Sequence, residues 1–103
     1  MGNGLDIAPE IYEDTEQEEA LEPHYKVFIH NDDVTPYEFV IVILQKIFEL
    51  LPMAAEQVTF VAHTNDIAYV ATYPKTDAQN RVGKAHFAAG LEGFPLHFSI
   101  EPE

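Results

Sequence analysis

The 103-residue chain contains no cysteine, which excludes disulfide bonds, thiolate nucleophiles and zinc–thiolate sites. It also has few basic residues, five Lys and Arg against eighteen Asp and Glu, and a formal net charge of -13. Nucleic acids and anionic membranes are bound through basic surfaces, so this balance argues against both as partners. It favours a partner or ligand that carries positive charge.

Other features are missing as well. No apolar run approaches the ~20 residues of a membrane-spanning helix, and the first residues lack the basic and apolar regions of a secretory signal. We therefore expect a cytoplasmic location and no membrane partner. The five glycines form no glycine-rich loop, and no serine-hydrolase, zinc-protease or calcium-loop pattern occurs. We expect no enzyme activity, no metal and no cofactor.

The negative charge is concentrated at the start of the chain. Residues 1–23 contain eight acidic residues and no Lys or Arg. A segment with so few apolar residues cannot offset the entropy lost on ordering. We predict a disordered acidic N-terminal extension over residues 1–23 and a single domain over residues 24–103.

The segment from Tyr25 to Leu51 organises this domain. Alternation of apolar and polar residues over 25–30 predicts a strand, and the turn formers at 31–33 end it. Thr35 and Glu38 have the spacing of a capping box, with a proline between them where a helix tolerates it. Apolar residues at helical spacing then predict a helix that continues to Leu51.

The remaining elements alternate in type. A second helix is predicted over 53–63, a strand over 67–73 and a final strand over 95–101. Between the strands, Thr76 and Gln79 suggest a capping box that starts a third helix, which places Phe87 on its apolar face and ends at Gly90. The order β-α-α-β-α-β predicts an α+β fold in which three helices pack on a three-stranded antiparallel sheet.

Residue types alone leave the function of the polar corner open. The ordinary interpretation of Asn31, Asp32 and Asp33 is a turn beside a helix N-terminus, and that of His63 is a surface residue at a helix end. A metal-dependent enzyme that uses Asp32, Asp33 and His63 is an alternative, although no tight ligand spacing supports it.

A longer pattern is more specific. The run Asn-Asp-Asp-x-Thr-Pro-x-Glu-Phe-Val at 31–40, a histidine at position 63 and Pro-Leu at 95–96 resemble the ClpS family of adaptor proteins. The resemblance extends over residues 25–101. It implies the same β-α-α-β-α-β fold, and a monomeric adaptor that passes substrates with a bulky apolar first residue to a ClpA-type unfoldase coupled to the ClpP protease.

The resemblance also implies roles for individual residues. Asn31, Asp32 and His63 would hold the α-amino group of the substrate. The first side chain would enter a pocket formed by Asp33, Thr35, Tyr37, Val40, Thr59, Ala62 and Leu96. Thr76 and Arg81 would contact the unfoldase.

The chain departs from the family pattern at several of these positions. Tyr37 and Thr59 stand where typical members carry methionine, Ala62 replaces a larger aliphatic residue, and Thr76 stands where an acid is usual. We expect a reshaped pocket. The alternative that follows is a divergent protein-interaction module that keeps the fold but does not read N-termini.

Overall fold

A computed structural model describes residues 21–103 of the chain. The elements are β1 (His24–His30), α1 (Tyr37–Lys46), α2 (Pro52–Asn65), β2 (Ile67–Pro74), α3 (Lys75–Leu91) and β3 (His97–Pro102). The predicted order and the predicted α+β class are confirmed. The predicted disorder of the extension falls mainly on residues 1–20, which lie outside the described residues.

The sheet is antiparallel, with β1 in the centre and the strand order β2-β1-β3. At the end of β1, His30 pairs with Ile67, the first residue of β2, and with His97, the first residue of β3. The segment that follows β1 is therefore adjacent to the end of α2 and to the residues that precede β3. This topology places three distant parts of the sequence at one corner of the domain.

One face of the sheet and the three helices enclose the core. Val27 and Ile29 are fully buried, as the alternation along β1 predicts, and they pack with Leu44 of α1, with Phe48 and with Phe98 of β3. Helix α3 contributes only small buried residues, Ala78, Ala85 and Ala89. Small side chains allow this helix to lie close to the sheet.

The first helix differs from its prediction at both ends. It begins at Tyr37 after Pro36, without a side-chain cap. The predicted capping box of Thr35 and Glu38 is wrong, because Thr35 donates both its N–H and its hydroxyl to the carboxylate of Asp32. The helix ends at Lys46 rather than Leu51, and Glu49 has a positive φ of 60° in the connection to α2.

Pro52 is the first residue of α2. Proline is favoured there because the first N–H of a helix has no partner within it. At the other end, Asp66 has a left-handed φ of 71° and terminates the helix. Helix α2 is thus longer than predicted by one residue at its start and two at its end.

Helix α3 also differs from its prediction, at its start, at its end and on its exposed face. The capping box of Thr76 and Gln79 is wrong, because the carboxylate of Glu22 accepts from the N–H and the hydroxyl of Thr76, both at 2.8 Å. The predicted helix end at Gly90 is wrong, because Gly90 lies inside the helix, which continues to Leu91. The glycine with positive φ after this helix is Gly93, at 77°. Phe87, predicted on the apolar face, is 69% exposed.

Candidate functional site

The corner beyond β1 contains a cavity of about 200 Å³. Its lining residues are Ile29, His30, Asn31, Asp32, Asp33, Thr35, Tyr37, Val40, Thr59, Ala62, His63 and Leu96. All ten residues expected to bind an α-amino group or a first side chain are in this set. Thr76 and Arg81 are not, and both belong to α3.

The polar part of the lining is built on the segment between β1 and α1. The N–H of Asn31 donates to the carbonyl of Asp66 at 2.8 Å, which fixes the segment to the end of α2. Asp32 Oδ1 accepts from the N–H groups of Val34 and Thr35 at 2.8 and 2.6 Å, and Oδ2 accepts from the Thr35 hydroxyl at 2.8 Å. The loop is therefore organised by its own carboxylate.

These bonds also determine the charge of Asp32. Partial burial would raise the pKa of its carboxyl, but the bonds from the N–H of Thr35, the N–H of Val34 and the Thr35 hydroxyl outweigh burial and lower the pKa below its ordinary value. Asp32 is therefore a carboxylate at neutral pH. A carboxylate has about four lone-pair positions, so Oδ2 can accept one further bond.

Asn31 and His63 provide two more acceptors beside this carboxylate. Within residues 21–103, neither side chain makes a hydrogen bond to protein. Asn31 is half-buried, and His63 is exposed near the end of α2. The Tyr37 ring meets the His63 imidazole edge to face, with centroids 6.0 Å apart and planes at 82°.

The inner lining is apolar. Val40, Ala62 and Leu96 are buried and belong to the domain core. Thr59 is buried as well, and its hydroxyl donates to the carbonyl of Ala55 one turn back at 2.7 Å. Because that hydroxyl is engaged within α2, Thr59 adds less polarity to the cavity than its residue type suggests.

Two lining residues, Ile29 and His30, were not identified from the sequence. Alternation along β1 predicts only that Ile29 and His30 lie on opposite sides of the strand. His30 Nε2 lies 2.7 Å from the hydroxyl of Ser99, so its ring is held by the neighbouring strand. The sequence signal that could have identified both residues is their position directly before the polar loop.

His30 is also the first of three histidines whose rings are in contact. Its centroid is 5.0 Å from that of His97, and His97 stacks on His86 of α3 at 5.3 Å with planes 9° apart. The Nε2 atom of His86 accepts from the N–H of Phe98 at 2.9 Å. Burial, and then repulsion from His97, lower the pKa of His86 below its ordinary 6.5.

Arg81, expected at an unfoldase contact, is tied into the domain. Its side chain is only 19% exposed. It donates from Nη1 to the carbonyl of Ile47 at 2.7 Å and from Nε to Asp77 at 2.9 Å, and it lies 4.5 Å from the centre of the Tyr73 ring. These contacts connect α3 to the end of α1 and to β2.

Thr76 lies at the exposed start of α3, bound by Glu22. The adjacent Lys75 N–H donates to the carbonyl of Pro23 at 3.0 Å. These contacts attach the end of the predicted extension to the folded domain.

Neither a metal centre nor a membrane-spanning helix is found in the part of the chain that the structure describes. No group of three or more His, Asp or Glu side chains there could hold a metal ion. The set Asp32, Asp33 and His63 considered for a metal-dependent enzyme is thus not arranged as a metal centre. None of the helices over residues 21–103 combines the length and apolarity needed to cross a bilayer.

The chain is similar in sequence to known proteins. Residues 20–99 match the family model described as "ATP-dependent Clp protease adaptor protein ClpS". The chain is 36% identical over 81 residues to the Clp protease adapter protein ClpS of Desulfotalea psychrophila, covering 79% of each chain. It is 38% identical over 79 residues to ClpS 2 of Mesorhizobium japonicum, covering 77% of this chain and 78% of the relative.

A solved structure is similar as well. It is that of Agrobacterium tumefaciens ClpS2 bound to L-phenylalaninamide, with a TM-score of 0.75 and 36% identity. The match covers 79% of this chain and 98% of that one. The family model, the relatives and the solved structure all match ClpS, so the chain belongs to the ClpS family of Clp protease adaptor proteins.

Proposed function

We propose that this protein binds the free α-amino group and the bulky apolar first side chain of substrate proteins, and delivers them to a ClpA-type unfoldase for degradation by ClpP. The observation that carries the proposal is the composition of the cavity, in which hydrogen-bond acceptors stand beside a buried apolar lining. Such a site suits a ligand with a charged end and an apolar side chain.

The acceptors suit an ammonium group. An N-terminal ammonium has three N–H donors, and the candidates to accept them are the Asn31 amide oxygen, the Asp32 carboxylate and the His63 imidazole. Charge-assisted hydrogen bonds are stronger than neutral ones. A residue inside a chain has no ammonium, so it would leave these acceptors unpaired and be rejected.

The size of the cavity suits the side chain. An apolar cavity of ~150 Å³ is known to accommodate benzene. The cavity of about 200 Å³ therefore has room for a phenyl ring or a leucyl group. The related Agrobacterium ClpS2 is bound to L-phenylalaninamide, which has a free amine and a phenyl ring and lacks a carboxylate. The amine and the phenyl ring are the two features that this cavity would recognise.

Delivery requires a second surface. We place the unfoldase contact at the exposed start of α3, where Thr76 lies outside the cavity. A substrate in the cavity would leave that surface accessible. The role of Arg81 would be to hold α3 in position, since most of its side chain is covered by Asp77, Ile47 and Tyr73.

The test is fluorescence anisotropy with short labelled peptides that differ only in the first residue (Leu, Phe, Tyr, Trp, Met, Ala or Arg). Each peptide is prepared with a free and an acetylated N-terminus. Free peptides with a bulky apolar first residue should bind and their acetylated forms should not. Equal binding of both forms would contradict the proposal.

Variants locate the binding. Asn31→Ala and His63→Ala should each weaken binding of the phenylalanine peptide by about tenfold or more, since an unpaired buried donor costs about 1–3 kcal/mol. Asn80→Ala, a change at an exposed position of α3, is the control and should leave affinity unchanged. Unchanged affinity in both site variants would remove these residues from the site.

A second function is favoured by one observation. The Tyr37 ring lies against His63 at the edge of the cavity, where it can limit access to it. A divergent module that binds an unfoldase or another protein without reading N-termini would show no affinity for any peptide of the panel. It would still bind the N-terminal domain of a ClpA-type unfoldase.

A further inference from the structure

A second concave surface adjoins the cavity. It is an open groove of about 410 Å³ between α1 and α2. Its lining residues are Tyr37, Ile41, Met53, Glu56, Gln57 and Phe60. Tyr37 lines both the groove and the cavity, so the two adjoin at this residue.

The groove exposes large apolar side chains. Met53 is 83% exposed, Phe60 59% and Tyr37 39%. Single exposed apolar residues are ordinary on protein surfaces, but several that line one groove indicate a binding surface. Among the described residues that line it, Glu56 alone carries a charge.

The direction of the groove follows from helix geometry. Phe60 lies three residues before His63 on α2, and Met53 lies seven residues before Phe60, spacings that keep all three near one face. At 1.5 Å per residue, the distance along the helix from His63 to Met53 is about 15 Å. An extended peptide that advances ~3.4 Å per residue covers this distance in four to five residues.

We infer that the groove binds the second to fifth residues of the same peptide whose first residue occupies the cavity. This inference rests on the proposed function and adds to it a substrate class, namely chains with apolar side chains directly after the first residue. The shared residue Tyr37 supports this occupant, since a peptide that leaves the cavity over Tyr37 would enter the groove. Glu56 makes an acidic side chain at these positions unfavourable.

The experiment separates the two sites by the length of the ligand. L-Phenylalaninamide occupies the cavity alone. The peptides Phe-Ala-Ala-Ala-Ala-Lys and Phe-Leu-Leu-Leu-Leu-Lys also reach the groove and differ only in the residues that would lie there. Isothermal titration calorimetry should give at least about fivefold tighter binding of the leucine peptide, because more apolar surface leaves water.

Variants assign this difference to the groove. Phe60→Ser and Met53→Ser should each weaken the leucine peptide by about three- to tenfold and leave phenylalaninamide within about twofold of wild type. Phe87→Ser is the matched control, because Phe87 is a similarly exposed phenylalanine on α3, outside the groove. It should change neither affinity.

Each contrary result has one meaning. Equal affinities for the two hexapeptides, or no effect of Phe60→Ser and Met53→Ser, would overturn the inference while binding of phenylalaninamide upheld the proposed function. Equal weakening of phenylalaninamide and the leucine peptide would also overturn it, because the variants would then act through the cavity. Absence of all binding to wild type would refute both. A dimer that Phe60→Ser abolishes would assign the groove to a second copy.

Discussion

Both oxygens of the Asp32 carboxylate accept hydrogen bonds from Thr35, Oδ1 from its N–H at 2.6 Å and Oδ2 from its hydroxyl at 2.8 Å. The residue expected to hold a substrate amine therefore also holds its own loop. Its effects on stability and on binding are coupled, whereas those of Asn31, whose side chain makes no hydrogen bond within residues 21–103, are separable from stability.

We predict that Asp32→Ala lowers the free energy of unfolding by about 1–3 kcal/mol, because three donors lose their acceptor. Urea unfolding followed by circular dichroism measures the change. Asn31→Ala is the comparison and should lower the same quantity by less than about 0.5 kcal/mol. Equal losses in the two variants would show that the carboxylate does not organise the loop.

The apolar lining makes a prediction about cavity volume. Ala62→Leu adds three carbon atoms to a residue that lines a cavity of about 200 Å³. The added side chain should occupy the space for the ligand and weaken a peptide that begins with phenylalanine by about tenfold or more. Anisotropy measures the loss.

Ala54→Leu is the matched control for this change. Ala54 is exposed on the same helix and does not line the cavity, so affinity should stay at the wild-type value. Wild-type affinity in Ala62→Leu, with its unfolding unchanged, would show that the first side chain binds elsewhere.

Arg81 supports a third prediction. Arg81→Ala should lower the free energy of unfolding by about 1–3 kcal/mol, since the variant leaves the carbonyl of Ile47 and the carboxylate of Asp77 without their donor. Arg81→Lys should recover only part of this loss, because an ammonium lacks the planar arrangement of donors. Urea unfolding measures both. A loss below about 0.5 kcal/mol in Arg81→Ala would show that the residue is available for a partner instead.

The sequence predicted the elements better than their ends. Alternation along β1 and helical spacing in α1 are local properties, and three of the apolar positions that they select, Val27, Ile29 and Leu44, are buried in the core. Both predicted capping boxes are wrong because each threonine instead donates to a carboxylate outside the box. Asp32 lies three residues before Thr35, but Glu22 is 54 residues from Thr76, beyond the reach of any local rule.

In the candidate site, too, local patterns were informative and contacts between distant residues were not predictable from them. Asn31 and His63 are separated by more than thirty residues, and no periodicity connects them; the family resemblance supplied the pairing. The register of His30 with Ile67 and His97 is what brings the two regions together. The groove beside Tyr37 could not be predicted, because exposed Met53 and Phe60 have the same helical spacing as core residues.

The stacked histidines give a prediction for pH. The pKa of His86 lies below its ordinary 6.5 in the folded state, from burial first and then from repulsion by His97. Above pH 6.5 the residue is neutral in both the folded and the unfolded state. Below it the unfolded chain binds a proton that the folded chain does not, so stability falls as pH decreases below about 6.5, until the pH is also below the pKa of the folded state.

His86→Gln should reduce this pH dependence. Glutamine does not titrate, and its amide oxygen can still accept from the N–H of Phe98, so stability at pH 7.5 should be retained. His86→Phe also removes the titration but leaves that N–H unpaired, and should lower stability by about 1–3 kcal/mol at every pH. Urea midpoints at pH 7.5, 6.5 and 5.5 measure both effects. The same decline in His86→Gln as in wild type would assign the acid sensitivity to other groups, because His86 would then take up its proton equally in both states.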